Sequence, residues 1–440
     1  MITHRLKPAN YQIISVLDEI EKAISSVSFI EQFRNSNKSF IRTRLLPFKV
    51  IILFLLNLLQ TAIQVELDNF FKIIEKSDTA VHKVTKSAFS QARRKLKFQA
   101  FIYLNQIIID NFYSKFPYLT WQGMRLLAID GTTLILPKSE EIIKKFKLRQ
   151  NNEGANTFVI ARALQIYDVL NHYTLSATFD ANTYSEQVLF YRLINALKEG
   201  DLCLLDRGFP GHWIFAAILN RKADFCMRCK STAFKQVKEL LESGEKELIT
   251  KIFPSYKSIK KLREYGLSEK PITVRFLVID LEDGEKEVLV TSLLSKEKYD
   301  YQSFKELYHN RWPVEEKYKQ LKHRIVIENF TGKSVECIYQ DFHAKIFMAN
   351  LSTLVAQPVH QTIKEKTKKR KRNYQINWTS ALSYMRNCGF LLFLRDNVNE
   401  LLENLQSLFS AAIDCIRPDR KFKRNIRYPK HYYMNYKPIS

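Results

Sequence analysis

The 440-residue chain predicts an α/β protein in which a mixed sheet with helical covers lies between helical N- and C-terminal regions. Three observations predict it. Residues 10 to 115 read as successive helices with no strand pattern. After Pro117 the text changes to apolar and alternating runs in the order β-β-β-α-β-α-β, as expected of a mixed sheet covered by helices. From Ser303 helical periodicity returns.

In chain order, helices are expected over Tyr11 to Ser26, Phe48 to Ile63, Val65 to Ile74, Lys86 to Leu96 and Phe101 to Phe112. The apolar run Val50 to Leu59 is too short for a membrane span and reads as a buried core helix. Thr85-Lys-Ser87-Ala-Phe89-Ser90-Gln91-Ala-Arg93-Arg94-Lys95 starts with good N-cap residues and ends in a basic cluster. It fits the second helix of a helix-turn-helix, with Ser90, Gln91, Arg93 and Arg94 facing a DNA groove. The helix dipole alone also favours basic residues at that end.

Strands are expected over Arg125 to Leu136, with Asp130 in the middle, then Phe158 to Val169 and His172 to Phe179, joined by a turn around Asn171. A helix over Ser185 to Lys198 precedes the short strand Asp201 to Leu205, which delivers Asp206 at its end. Helix Gly211 to Leu219 and strand Asp224 to Lys230 follow. Residues 231 to 298 interrupt the pattern with a lysine-rich helix near Phe234 to Glu242 and a hairpin, Ile272 to Leu281 and Lys286 to Leu293, turning at Glu282-Asp283-Gly284. Helices resume over Ser303 to Arg324, Val335 to Val355 and Trp378 to Ile416. Between the last two, Lys366 to Arg372 is a charge run that reads as a mobile solvated linker. The tail from Arg417 mixes Lys and Arg with aromatic side chains, suited to backbone contact and stacking on nucleic acid.

With 69 Lys+Arg against 45 Asp+Glu, the net charge is +24, which makes a polyanion the first partner to consider, nucleic acid before membrane. Aromatics at 12% and only 11 glycines describe a packed protein and not a disordered basic tail. Glycine-rich phosphate loops of the nucleotide-binding type are missing. The six cysteines are scattered, and no signal peptide opens the chain, which predicts a reducing, cytoplasmic setting. Cys226 and Cys229 form one CxxC without a second pair at zinc spacing, and core positions of a strand explain them.

The chemistry concentrates in three acids and one stripe. At about 100° per residue, Tyr308, Arg311, Glu315 and Lys322 fall within roughly 60° of one another on a helix. A stripe bearing a phenol, a guanidinium, a carboxylate and an ammonium suits a site where a metal-binding acid sits beside phosphate-holding groups. A solvated face laced with i,i+4 pairs would carry the same pattern. Pro313 lacks the N–H that would bond back to His309, which predicts a kink within the stripe. Asp130 in an apolar strand and Asp206 at the end of another are expensive to bury unpaired. Either a salt bridge to Arg207 or Lys322 meets them, or, together with Glu315, they hold a hard cation that wants carboxylates from separate elements.

Three segments together resemble the DDE transposases of the bacterial insertion sequence four family: Ala128-Ile-Asp130-Gly131-Thr132, Leu205-Asp206-Arg207-Gly208-Phe209, and Tyr308-x2-Arg311-x3-Glu315-x6-Lys322. The last matches that family's Y-R-E-K signature and continues into Glu328-Asn329-Phe330-Thr331-Gly332; the resemblance covers about residues 120 to 350. It implies a ribonuclease H-like catalytic domain in two parts, residues 118–230 and 299–356, separated by a β-rich insertion at 231–298. A helical DNA-binding region would precede it at 1–117, and a basic helical region would follow at 357–440.

The resemblance further implies Asp130, Asp206 and Glu315 as catalytic ligands of two Mg²⁺ ions, with Mn²⁺ able to replace them. Glu316, a rival for the third position, lies roughly 80° from Tyr308 on the wheel and off the stripe. Tyr308, Arg311 and Lys322 would hold terminal DNA phosphates. The implied reaction is cut-and-paste transposition by a dimer acting on terminal inverted repeats and target DNA, with water cutting one strand and the freed 3′-hydroxyl forming a hairpin before insertion. Related enzymes stack a flipped base on a tryptophan of the insertion. Here the tryptophans are at 121, 213, 312 and 378, so that role stays unassigned. A metal-dependent nuclease without strand transfer and a non-catalytic DNA-binding descendant are the alternatives.

Overall fold

A computed structural model of the chain describes residues 8–42, 45–150, 157–280, 285–311, 313–394 and 397–417. The hairpin turn expected at Glu282-Asp283-Gly284, Trp312, and the basic aromatic tail beyond Arg417 lie outside the described residues.

Five strands make the centre: β1 (Arg125–Leu136), β2 (Thr157–Asp168), β3 (Tyr173–Ala181), β4 (Asp201–Leu205) and β5 (Asp224–Cys229). β1, β2 and β3 form an antiparallel meander, while β4 and then β5 add in parallel on the other side of β1. The order β3-β2-β1-β4-β5, three antiparallel strands followed by two parallel ones, is the ribonuclease H-like arrangement that the resemblance implied.

The insertion extends this sheet. Its strands β6 (Glu247–Ile252), β7 (Ile272–Asp280) and β8 (Lys286–Thr291) continue the ladder, with β8 antiparallel to β5 in the register Cys226↔Thr291 and Met227↔Val290. With the three-residue strand Leu148–Gln150 on β2, the described sheet has nine strands. Without β8, β5 would be an edge with open backbone donors and acceptors, so pairing there satisfies both strands.

Side chains of a strand alternate between faces, and the two hydrophobic clusters record that alternation. Leu127, Ile129, Cys203 and Leu205 belong to the large core shared with the N-terminal helices and helix Val335–Val355. Leu126, Ala128, Leu202 and Leu204 belong to a second core on the opposite face, filled by Phe304, Leu307, Tyr308 and Val314 from helices Tyr301–His309 and Pro313–His323.

Helix Val335–Val355 is buried along nearly its whole length because sheet and helices enclose it on every side. Several of its polar residues are therefore partnered. Asn350 donates to Thr174 O at 2.8 Å and Asn105 Oδ1 at 2.7 Å, and accepts from the Thr174 N–H at 2.9 Å. Asn350→Ala should cost about 1–3 kcal/mol for each buried group left unpaired. The check is a lowered denaturant midpoint with an unchanged slope.

Several elements differ from the sequence reading. The helix expected over Phe48 to Ile63 stops at Leu55; Leu58 takes φ +49°, and Glu66 accepts the N–H groups of Gln60 and Thr61 to start the next helix, Ile63–Ile74. Trp378 to Ile416 is not one helix: Trp378–Cys388 gives way to a 3₁₀ turn at Gly389–Phe393, then Val398–Ala411 and a strand Ile413–Cys415. A Cβ on Gly389 would stand 2.6 Å from Met348 Cε, so the chain packs closely on the central helix at this break. The charge run Lys366 to Arg372 begins inside helix Gln357–Thr367, where Thr367 is buried, and only then continues exposed. Helices Glu140–Phe146 and Tyr256–Glu264 and strand β6 had no counterpart in the sequence pattern. Among the described residues no helix is long and apolar enough to cross a membrane, and Phe48–Leu55 is core.

Candidate active site

The alternation that splits the two cores also aims the acids. Asp130 continues the series Leu126, Ala128 on β1, and Asp206 continues Leu202, Leu204 on β4, so both point to the face covered by helices Tyr301–His309 and Pro313–His323. β1 and β4 are parallel neighbours paired through Ile129↔Leu205, which makes Asp130 and Asp206 the next positions in line. A tight turn with Phe209 N–H on Asp206 O at 3.0 Å closes the second strand.

The Y-R-E-K stripe lies on two helices. Tyr301–His309 ends at Asn310 and the second helix starts at Pro313, whose missing N–H is harmless in a first turn. Both segments still press onto the sheet beside the acids. Tyr308, 5% exposed, donates from its hydroxyl to Leu205 O at 3.3 Å, the residue before Asp206. Tyr318 donates to Asp130 O at 2.8 Å. It was not singled out in the sequence, although it stands one helical turn beyond Glu315. Lys322 Nζ donates to Thr133 O at 2.6 Å. Arg311, 7% exposed, holds Glu315 Oε1 at 2.8 Å and lies 5.8 Å from the Tyr308 ring. Glu316 is exposed and paired with Lys319.

The salt bridges considered as alternatives for the aspartates do not form: Arg207 is exposed and Lys322 is bonded to a carbonyl. Burial pushes the Asp130 carboxyl up to about 7, the Arg311 charge opposes this, and the negative charges of Glu315 and Glu186 add to it. Burial also lowers the Lys322 ammonium and raises the Tyr308 phenol. Glu186, on the helix after β3, was missed in the sequence, where it reads as an ordinary first-turn acid.

Chemically this donor set fits a hard divalent cation, with carboxylates from separate elements and one of them, Asp130, penalised for ionising alone. It is not a finished cage. Among the described residues no three acidic, His or Cys side chains converge closely enough to hold a metal, and Glu315 is engaged by Arg311.

The N-terminal helix expected to meet DNA divides. Ser90, Gln91 and Arg94 on and just after helix Lys86–Arg93 are exposed. Arg93 corrects the expectation: it is 1% exposed, with Nη2 on Asp341 Oδ1 at 2.9 Å, Nε on Gln340 Oε1 at 2.9 Å and Nη1 on Thr331 Oγ1 at 2.7 Å. Its guanidinium is consumed inside the protein, and no face is left for a phosphate. The helix-turn-helix reading is corrected too, since residues 75–85 separate Ile63–Ile74 from this helix, far more than the roughly three-to-four-residue turn of that motif. The Glu328 to Gly332 stretch is the lashing point: Glu328 accepts the Ile135 N–H at 2.9 Å, Asn329 donates to Gln60 O at 2.9 Å, and Thr331 joins the Arg93–Asp341 network.

Residues 121–351 match the family model described as Transposase DDE domain, more than half of the chain. The chain belongs to the DDE transposase family. Transposase InsG of insertion sequence element IS4 from Escherichia coli (strain K12) is 21% identical over 356 residues, covering 78% of this chain and 77% of that protein. That relative agrees with the insertion sequence four likeness of the Y-R-E-K stretch. A solved piggyBac transposase synaptic complex with hairpin DNA aligns with TM-score 0.47 and 10% identity over 89% of this chain and 85% of that one, a likeness from which no residue role transfers. Membership makes this transposase an enzyme that acts on DNA with the help of a divalent metal.

Proposed function

We propose that this transposase carries out cut-and-paste movement of an insertion sequence, acting in the cytoplasm as a dimer on terminal inverted repeats and target DNA. The observation that supports the reading is that Asp130 on β1 and Asp206, just past the end of its parallel neighbour β4, follow the last strand pair Ile129↔Leu205, under helices that carry Glu315 and are pinned to β1 and β4 by Tyr318 and Tyr308. Asp130, Asp206 and Glu315 would hold Mg²⁺, with Mn²⁺ able to substitute. Such ions would supply activation of the attacking oxygen and stabilisation of the leaving one. Arg311 and Lys322 hold the phosphates flanking the scissile bond by charge-assisted hydrogen bonds, and Tyr308 keeps Arg311 in place from below. Ser90, Gln91 and Arg94 supply contacts further along the repeat. The chain divides for this purpose into an N-terminal DNA-binding region (1–117), a catalytic part in two pieces (118–230 and 299–356), the insertion (231–298) and a basic C-terminal region (357–440).

The deciding experiment incubates the protein with Mg²⁺, the terminal repeats flanking its gene, and a target plasmid. Joined products support the proposal; cleavage without joining reduces the protein to a nuclease. Because the chain carries +24, DNA affinity should be steeply salt-dependent. With six or more phosphates contacted, it should fall by about 10³-fold between about 50 and 200 mM salt. A flat titration would remove the electrostatic argument.

A further inference from the structure

Glu186 begins helix Glu186–Leu193, whose N-cap Ser185 accepts the Val188 N–H. Its carboxylate lies between the two aspartate motifs, in space that their glycines leave open. A Cβ built on Gly131, the residue after Asp130, would stand 2.5 Å from Glu186 Oε1 and 2.7 Å from its Cδ. A Cβ on Gly208, two residues after Asp206, would stand 3.9 Å from Oε2. Neither glycine has a left-handed backbone, so it is room and not conformation that a side chain would take away. The next residue fastens the arrangement: Gln187 Nε2 donates to Gly208 O at 3.2 Å and Phe209 O at 3.1 Å, while its Oε1 accepts from Trp213 Nε1 at 3.2 Å.

The Glu186 carboxylate is half-buried, yet no described residue hydrogen-bonds or ion-pairs with it. Arg162 acts on it only through space, and its guanidinium is bonded to Tyr184 O at 2.7 Å. A half-buried carboxylate set beside the glycines of both aspartate motifs and within electrostatic reach of Asp130 and Asp206, with no described donor of its own, is stabilised when a cation joins it.

We propose that Glu186 is a fourth carboxylate of the catalytic centre, contributing to the divalent ion that Asp130 and Asp206 hold, with Gly131 and Gly208 as the cradle that admits it. This rests on the metal assignment made above, and the test separates the two. Mn²⁺ binding to the DNA-free protein is measured by loss of the free-ion electron paramagnetic resonance signal, alongside the melting-temperature rise that Mn²⁺ produces. Glu186→Gln should weaken Mn²⁺ binding about tenfold or more while leaving the metal-free melting temperature at or above that of wild type. Gly131→Ala should weaken it similarly with Glu186 intact, by pushing the carboxylate aside. If Asp130→Asn and Asp206→Asn lose Mn²⁺ binding but Glu186→Gln and Gly131→Ala bind like wild type, the role of Glu186 is overturned and the metal assignment stands. Should none of the four alter Mn²⁺ binding, the metal assignment falls and the role of Glu186 falls with it.

Discussion

Asp130→Asn should abolish DNA cleavage and, in metal-free buffer near neutral pH, make the protein more stable. Loss of an electrostatic contact at a reaction centre costs about 10²–10³ in rate, and removal of a metal ligand should reach at least the upper end of that range. The stability gain follows from the raised pKa. An unfolded aspartate ionises near 3.8, whereas folded Asp130 ionises near 7. Between those values the unfolded chain has lost the proton and the fold has kept it, so the stability this group contributes in acid drains away as pH rises from about 4 and is gone above about 7. At about 1.4 kcal/mol per pH unit the penalty is a few kcal/mol. Asparagine never ionises and escapes it. A scan of melting temperature against pH should show the wild-type and variant curves meeting in acid and separating toward pH 7.5. Asp206→Asn and Glu315→Gln should also abolish cleavage. If all three variants cut DNA at wild-type rates, the catalytic assignment is wrong.

Arg93→Ala should cost about 3–5 kcal/mol, the typical price of stranding a buried partner charge. The side chain of Asp341 is 3% exposed, so without Arg93 its charge is left in a dry interior where, among the described residues, Thr331 alone hydrogen-bonds to it. Replacing both partners by leucine should recover much of the loss, because the stranded charge is then gone as well. Chemical denaturation of the single and double variants tests this. A single-variant loss below about 1 kcal/mol would mean that the network does not tie the N-terminal helices to the core.

The family was legible because its signals are local. An acid inside an apolar strand, another at a strand end, and a spacing of three, four and seven residues are all visible in one dimension. The kink at Pro313 was equally legible, since a missing N–H is a property of one residue. What escaped the sequence depends on distant neighbours. Arg93 reads as a solvated helix end until Asp341, 248 positions away, takes it inward. Glu186 gains meaning only from the gaps at Gly131 and Gly208. That the insertion joins the catalytic sheet is a matter of strand order, which chain order does not encode.

The clasp between Arg311 and Glu315 has a thermodynamic consequence. On the proposed reading each partner has its own ligand, phosphate for Arg311 and divalent ion for Glu315, and neither ligand is fully met while the two side chains hold one another. Whichever ligand arrives first releases the partner that the second requires. Metal then tightens DNA binding, and DNA tightens metal binding by the same factor, since linkage between two sites is reciprocal. On that reading each ligand binds alone, and each binds more tightly once the other is present.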